Sequence, residues 1–297
     1  MKINTHTIIT IILTPISQAP PLSYSMIEAD RIPRDDSSLS KPHQIETTHL
    51  QWEIKKVDFD AKVLRANAKY TFRRNDPNAT TLSLDTAKLN IKAVIDQNEQ
   101  PLDFKLHSEN LEKEYLGQAL EITVPPTVTH VLIDYETTPA SSALQWLPPS
   151  QTAGKMYPYL FTQCQAIHAR SLLPCQDRPG VKITYKATVT VPSWSVCVMG
   201  AVQMIENISP RNEKTYVWMQ DVPISSYLIA MAVGHLQRRE ISPRCAVWSE
   251  PAVVDIAAEE YSQTEEFLQI AESISGMQYV WGRYDLLCLP PSFPCKC

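Results

Sequence analysis

Alternation of apolar and polar residues is the dominant pattern between residues 45 and 237. In "VKITYKATVTVP" every second position is apolar, namely Val181, Ile183, Tyr185, Ala187, Val189 and Val191. The same period of two occurs in "HLQWEIKKVDF", "RANAKYTFRR", "ALEITVPP" and "HVLIDYETTP", and it is typical of half-buried strands. "YLIAMAVGHL" is almost continuously apolar, which predicts a strand buried on both faces. The pattern therefore predicts a mainly β protein with an antiparallel β domain over residues 45–237.

The pattern changes after Arg238. "CAVWSE" predicts a short strand, and a helix is predicted to follow it, with Ser249 as N-cap, Pro251 in the first turn and Gly276 at the end. "RYDLLCLP" predicts a further strand. A β-α-β run of this length cannot enclose a core of its own. Residues 238–297 are therefore expected to be the incomplete start of an α/β domain.

The beginning of the chain is different again. Residues 1–44 are polar, contain proline and show no period, which predicts a disordered leader and linker. Lys2 followed by an apolar run over residues 8–13 loosely resembles a secretory signal. Secretion is therefore an alternative localisation, and translation from Met26 is an alternative start.

Composition favours a globular protein with neither nucleic-acid nor membrane partners. The 297 residues are 44% hydrophobic and 20% charged, with a net charge of −5 and no basic block. No stretch approaches the ~20 apolar residues of a membrane span. Glycine occurs 7 times, and no GxGxxG or GxxxxGK[ST] phosphate-binding motif is present. Seven cysteines are spread along the chain, which favours reduced thiols and a cytoplasmic location. The sequence gives no indication of the oligomeric state.

Polar residues concentrate in "YPYLFTQCQAIHARSLLPCQDRPG", between two predicted strands. Such side chains need hydrogen-bonding partners if they are buried. Arg170 and Asp177 are suited to form an ion pair that holds the loop. On these residues alone, a structural polar turn and a functional loop both stay open.

The stretch from Tyr157 to Pro192 resembles the signature of the aminopeptidase N-type zinc metallopeptidases, in which Ala-Arg, Pro-Cys and Asp-x-Pro precede a long strand. The glutamine form "QCQAIHAR" is similar to the branch of that family that contains leukotriene A(4) hydrolase and aminopeptidase B. The similarity continues through "YLIAMAVGHLQRREISPR", "VWSEPAVV" and "YVWGRYDLLCLPPSFP". It therefore spans roughly residues 45–294.

The resemblance implies a saddle-like, mainly antiparallel β domain followed by the start of a thermolysin-like α/β catalytic domain. It also implies a zinc ion held by two histidines of an HExxH helix and by a later glutamate, with the motif's own glutamate as general base. The implied substrates are peptides, which lose their N-terminal residues. In leukotriene A(4) hydrolase the same zinc site also opens a fatty-acid epoxide.

Only part of that site can be carried over to these residues. By resemblance, Gln163, Cys164 and Gln165 belong to the loop that lines the pocket for the substrate's free amine. By resemblance, Pro294, which ends the approach to the peptide-binding segment, is also a substrate-binding residue. The chain contains no HExxH motif, and its seven histidines offer no pair at metal-binding spacing. The chain is therefore expected to have no catalytic residues, to bind no zinc and to be inactive alone.

Three interpretations of the whole chain stay open. In the first, it is a truncated product of a zinc aminopeptidase. In the second, it is a non-catalytic isoform that binds peptides or another protein. In the third, Cys288, Cys295 and Cys297 form a metal site with soft ligands, although the paired CxxC spacing that makes such a site specific is missing.

Overall fold

The fold is built mainly from strands. The computed structural model describes residues 35–109, 111–209 and 212–292, together with the backbone of Ile8–Ile9. Its strands are β1 (Ile8–Ile9), β2 (Ile45–Asp58), β3 (Val63–Arg74), β4 (Thr81–Thr86), β5 (Leu89–Asp96), β6 (Phe104–Leu106), β7 (Gln118–Thr123), β8 (His130–Thr137), β9 (Leu144–Leu147), β10 (Tyr159–Thr162), β11 (Lys182–Pro192), β12 (Val196–Met199), β13 (Val202–Ser209), β14 (Glu213–Ser225), β15 (Met231–Gly234), β16 (Gln237–Ser242), β17 (Cys245–Ser249) and β18 (Tyr284–Cys288). The α-helices of this part are α1 (Val254–Glu260) and α2 (Thr264–Ser275). Among the described residues, no helix is long and apolar enough to cross a membrane.

The largest sheet has seven strands in the order β13-β14-β11-β2-β3-β8-β5. Its strand pairs are antiparallel except for β11 and β2, which run parallel with Tyr185 opposite Leu50. The prediction of an antiparallel domain is thus correct for most of the sheet and wrong at this pair. The reason is the long connection between β2 and β11, since parallel neighbours require a crossover rather than a hairpin.

The predicted alternation is visible in the burial of the strands. In β11 one face lies in the core, with exposures of at most 4% for Ile183, Tyr185, Ala187, Val189 and Val191. All four residues of β15 are buried, which confirms the strand predicted to be covered on both faces. β15 lies in a smaller sheet with the order β12-β15-β10-β9, and β4-β7-β6 form another.

The last part of the chain forms the predicted β-α-β unit, because β17 and β18 pair in parallel around α1 and α2. The predicted helix start is wrong: Ser249 lies in β17 and its Oγ donates to the carbonyl of Cys288 at 3.2 Å. Pairing with β18 keeps this end of β17 extended. Two helices follow where one was predicted, since α1 ends at Glu260 and α2 begins at Thr264. Gly276 ends α2 with a φ of 69°, as predicted.

The end of the predicted leader contacts the β domain. Ser38 donates from Oγ to Asp85 Oδ2 at 2.7 Å, and Leu39 donates from its backbone N–H to Asp85 Oδ1 at 2.6 Å. Residues 35–44 therefore differ from the disorder predicted for 1–44, because a buried carboxylate needs these donors. The rest of the leader lies largely outside the described residues.

Candidate functional site

A buried ion pair holds the loop between β10 and β11. Arg170 Nε lies 3.0 Å from Asp177 Oδ2, and each side chain is 1% exposed. Arg170 also donates to the carbonyls of Leu116 at 2.9 Å and Ser37 at 2.7 Å. The guanidinium group is thus directed by charge and by several hydrogen bonds, which gives the loop a defined geometry.

Asp85 in β4 joins this pair to the neighbouring sheet. Its carboxylate accepts a hydrogen bond from the backbone N–H of Asp177 at 2.9 Å, and its backbone pairs with Cys175 in both directions. Burial raises the pKa of Asp85, while the positive charge of Arg170 opposes the rise. Ser226 Oγ donates to Asp177 Oδ1 at 2.7 Å. Together these groups form a buried polar network that joins separate segments of the β domain.

The glutamine loop, residues 163–165, follows β10 directly. The backbone N–H of Gln163 donates to the carbonyl of Ala143 at 2.8 Å, which continues the pairing of β10 with β9. The side chains of Gln163 and Gln165 are both exposed. The loop therefore presents two carboxamides to solvent on a backbone fixed from one side by the sheet.

Cys164, between the two glutamines, is buried whereas they are exposed. The family resemblance grouped it with them as a substrate-binding residue, but its side chain is 2% exposed and lies in the core. Burial raises the pKa of the thiol, so the sulfur is neutral and unreactive. Its carbonyl accepts a hydrogen bond from His168 N at 2.9 Å. Cys164 thus anchors the loop, and Pro294, also predicted to bind substrate, lies outside the described residues.

Sequence reasoning missed Glu250, which joins the β domain to the β-α-β unit. Its side chain is 5% exposed, and its carboxylate accepts hydrogen bonds from Ala153 N at 2.7 Å and Gly154 N at 3.1 Å. Beside it, Ser292 Oγ donates to the carbonyl of Gln151 at 2.7 Å. A single glutamate after a strand has no pattern from which this role could be predicted.

Tyr159 at the start of β10 packs the glutamine loop's strand against the rest of the core. Its ring occupies the space beside Gly234, where an added Cβ would lie 2.4 Å from Tyr159 Cδ2. Tyr159 belongs to the same buried cluster as Leu287 in β18 and Leu289 directly after it. The glutamine loop and the end of β18 therefore rest on one continuous core.

The described residues do not fit the zinc site that the resemblance implies. They contain no group of three His, Cys, Asp or Glu side chains that could hold a metal ion. Of the three cysteines of the alternative metal site, Cys288 is described and half-buried, whereas Cys295 and Cys297 lie outside the described residues. The expectation that this chain binds no zinc stays a prediction.

Residues 46–228 match the family model described as the Peptidase M1 N-terminal domain. The chain belongs to the peptidase M1 family. The matched M1 segment lies within residues 45–237, the range predicted for the β domain. It contains both the glutamine loop and the buried ion pair.

In sequence and in structure, this M1 chain is similar to leukotriene A(4) hydrolases and to leucine aminopeptidases. It is 42% identical over 267 residues to leukotriene A-4 hydrolase of Xenopus laevis, covering 88% of this chain and 43% of the relative. It is 39% identical to leucine aminopeptidase 2 of Yarrowia lipolytica, covering 88% of this chain and 39% of the relative. The native leukotriene A(4) hydrolase structure from Saccharomyces cerevisiae matches with a TM-score of 0.79 and 31% identity, covering 91% of this chain and 41% of that one. The predicted family and fold class are confirmed, and the chain spans about two fifths of these relatives' lengths.

Proposed function

We propose that this chain is the N-terminal, substrate-facing part of a leukotriene A(4) hydrolase-like zinc aminopeptidase. In this proposal it holds the amino end of a peptide and does not hydrolyse it. The observation that carries the proposal is the glutamine loop, whose two exposed carboxamides stand on a backbone held by the pairing of Gln163 with Ala143 and by the buried Cys164. The names of the similar proteins, a leukotriene A-4 hydrolase and a leucine aminopeptidase, support peptides as the ligand class.

The chemistry of the two side chains suits an amine and the peptide bond beside it. The carboxamide oxygens of Gln163 and Gln165 can accept hydrogen bonds from a protonated amine, and their N–H groups can donate to a carbonyl. Because the sheet hydrogen bond of Gln163 and the burial of Cys164 hold this backbone, binding a peptide requires little further ordering of it. The role proposed for the loop is therefore recognition and orientation of a free amino terminus.

A binding experiment with a matched pair of ligands tests this role. Trialanine and N-acetyl-trialanine are titrated into the full chain by NMR, and only trialanine, with its free amine, is expected to shift the side-chain amide signals of the loop. Gln163→Ala and Gln165→Ala are each expected to weaken binding by about 3- to 10-fold, the value of one hydrogen bond. Gln51→Ala, which removes an exposed glutamine from β2, is the control and should leave binding unchanged. Equal binding of the acetylated peptide would overturn the proposed role.

A second experiment tests the proposed lack of hydrolysis. M1 hydrolases and aminopeptidases are zinc enzymes, and the zinc-binding motif of the family does not occur in these 297 residues. The purified chain is therefore expected to show no bestatin-sensitive turnover of alanine p-nitroanilide with or without added zinc. Turnover that copurifies with the chain would contradict this part of the proposal and leave the binding result unaffected.

A second candidate function, binding of another protein, is favoured by the exposed side of α2. Phe267, Ile270 and Ile274 are 62%, 47% and 83% exposed, and exposed apolar surface of this kind is typical of interaction sites. Sedimentation velocity of the chain alone and of Ile274→Glu tests the simplest case, self-association. A single sedimenting species of monomer mass for both proteins at high concentration would count against that case.

We also propose that the chain acts in the cytoplasm. The cysteines within the described residues are free thiols, and four of them are buried, which suits a reducing compartment. Fractionation of cells that express the chain with a C-terminal tag tests this. Recovery of the tagged chain from the medium would favour secretion.

A further inference from the structure

The edge of β18 that faces away from β17 is only partly paired. The sheet has the order β1-β18-β17-β16, so β1 is the neighbour of β18 on this side. The two strands are antiparallel, with Ile8 opposite Cys288 and Ile9 opposite Leu287. Within the described residues, the part of β18 before Leu287 has no strand partner on this side. An edge with unpaired backbone N–H and C=O groups is able to accept an extended segment.

Both faces of β18 are apolar, so a strand that pairs with it should be apolar on both faces as well. Leu286 is 4% exposed and lies in the small apolar cluster that includes Ala257 of α1. Leu287 is 7% exposed and belongs to the main core instead. Strands covered on both faces have continuous rather than alternating apolar runs. The run over residues 8–13 has this character, because Thr10 is its one polar residue and four others are β-branched isoleucines.

An apolar cavity of about 520 Å³ lies beside the same edge. β18 contributes Tyr284 and Leu286 to its lining, and among the described residues none of β17 lines it. The cavity therefore lies toward the side of β18 that faces away from β17. Phe267 of α2 and Met277 also line it, and they are 62% and 50% exposed. An apolar strand on this edge would remove part of that surface from water.

The connection from the apolar run to the β domain is long enough to reach this edge. Residues 13–34, which are 22 residues, separate the run from Asp35. Fully extended, a segment of this length spans about 70 Å, whereas a globular protein of this size is about 50 Å across. The run can therefore reach β18 from any point at which the connection leaves the β domain. A second copy of the chain is not required.

We propose that residues 8–12 of this chain form a strand along the whole of β18 and close the edge of its sheet. Continuing the register beyond Ile9 sets Ile12 opposite Tyr284, so five residues match the five residues of β18. The strand blocks this edge against pairing with other chains. The run that resembles a secretory signal is then part of the folded protein. The inference is independent of the glutamine loop and of the function proposed for it.

Cys288 provides a test of the register with a native thiol. Opposite residues of an antiparallel pair have Cα atoms about 4.5–5.5 Å apart, which is within the range that a disulfide spans. Ile8→Cys is therefore expected to form a disulfide with Cys288 when the folded chain is treated with oxidised glutathione. Both cysteines of the tail, Cys295 and Cys297, are replaced by serine so that they cannot compete, and peptide mass spectrometry identifies the bonded pair.

The control is Ile12→Cys in the same serine background. In the proposed register this position lies four residues along the strand from the partner of Cys288, about 13 Å away, so the control should stay reduced. For Ile8→Cys we expect a disulfide within the monomer, with a yield that is the same at about 1 and about 50 µM protein. A disulfide found only in a covalent dimer would overturn the chain's own segment as the occupant. No disulfide in either variant, or equal yields in both, would overturn the register.

Amide hydrogen exchange followed by NMR tests the strand without new cysteines. Ile11→Pro/Ile12→Pro removes two adjacent backbone N–H groups and disfavours an extended, paired segment. Successive amides of β18 point to opposite neighbours, so those that face β1 are expected to exchange at least about tenfold faster in this variant. The amides that face β17 should keep their protection. Ser23→Pro/Ser25→Pro, in the connection, is the control and should change neither set. Uniform acceleration along β18, or none, would overturn the proposal.

Discussion

Replacement of Arg170 by methionine tests the buried ion pair most directly. Arg170→Met keeps the length of the side chain and removes the guanidinium group, which leaves the Asp177 carboxylate 1% exposed and without its cation. Removal of one partner of a buried pair costs about 3–5 kcal/mol. The carbonyls of Leu116 and Ser37 also lose their donors. We therefore expect the free energy of unfolding to fall by at least about 3 kcal/mol.

Urea unfolding followed by tryptophan fluorescence measures this change. With a slope of about 2–3 kcal/mol per M urea, the midpoint should fall by about 1–2 M. The control is Arg73→Met, because Arg73 lies 2.8 Å from Glu46 but its side chain is 64% exposed. An exposed pair of this kind contributes about 0–1 kcal/mol, so the control midpoint should hardly move.

The result that would refute this reasoning is a loss for Arg170→Met no larger than that of the control. It would mean that water solvates the Asp177 carboxylate in the folded protein. The double variant Arg170→Met/Asp177→Leu removes both charges and, with the two single variants, completes a double-mutant cycle. Its loss should be smaller than the sum of the single losses, since neither charge is left buried alone.

Three further predictions follow from packing and charge. Gly234→Ala should destabilise the fold by about 1–3 kcal/mol and lower the Tm in calorimetry, because the new Cβ would lie 2.4 Å from the Tyr159 ring. A hydrogen bond from Arg244 lowers the pKa of Glu265 to about 2 from an ordinary 4.5. Between these two pH values the unfolded state binds more protons than the folded state. The contribution of Glu265 to stability is therefore present above about pH 4.5 and is lost as the pH falls toward 2. In acid unfolding, Glu265→Gln should make the free energy of unfolding depend less steeply on pH over this range. Glu250→Ala should cost about 1–3 kcal/mol in urea unfolding, because two buried backbone N–H groups lose their acceptor.

The candidate site was predictable in part. Arg170 and Asp177 are seven positions apart in a polar stretch between strands, so opposite charge and short separation were enough to predict their contact. Which side chains of the glutamine loop are buried and which are exposed was not predictable. Cys164 and its neighbours form a short irregular segment, in which no period assigns one side chain to the core and the next to solvent.

The order of the strands and the connection between the two parts of the chain also lay beyond the sequence. The parallel pairing of β11 with β2 joins Thr184 to His49, and the contact of Glu250 with Ala153 spans 97 positions. Local patterns do not contain such pairs. They form only when the chain is packed and each buried polar group finds a partner.

By itself, the sequence determined the strand-rich β domain, the β-α-β unit after it and the terminating glycine of α2. Each of these depends on side chains within a few positions of one another, so periodicity and local conformational preference are sufficient. Only the tertiary structure decided which polar groups meet: Arg170 donates to Ser37 across 133 positions. The physical reason is that burial and hydrogen-bond satisfaction are properties of the packed chain, which brings together residues far apart in sequence.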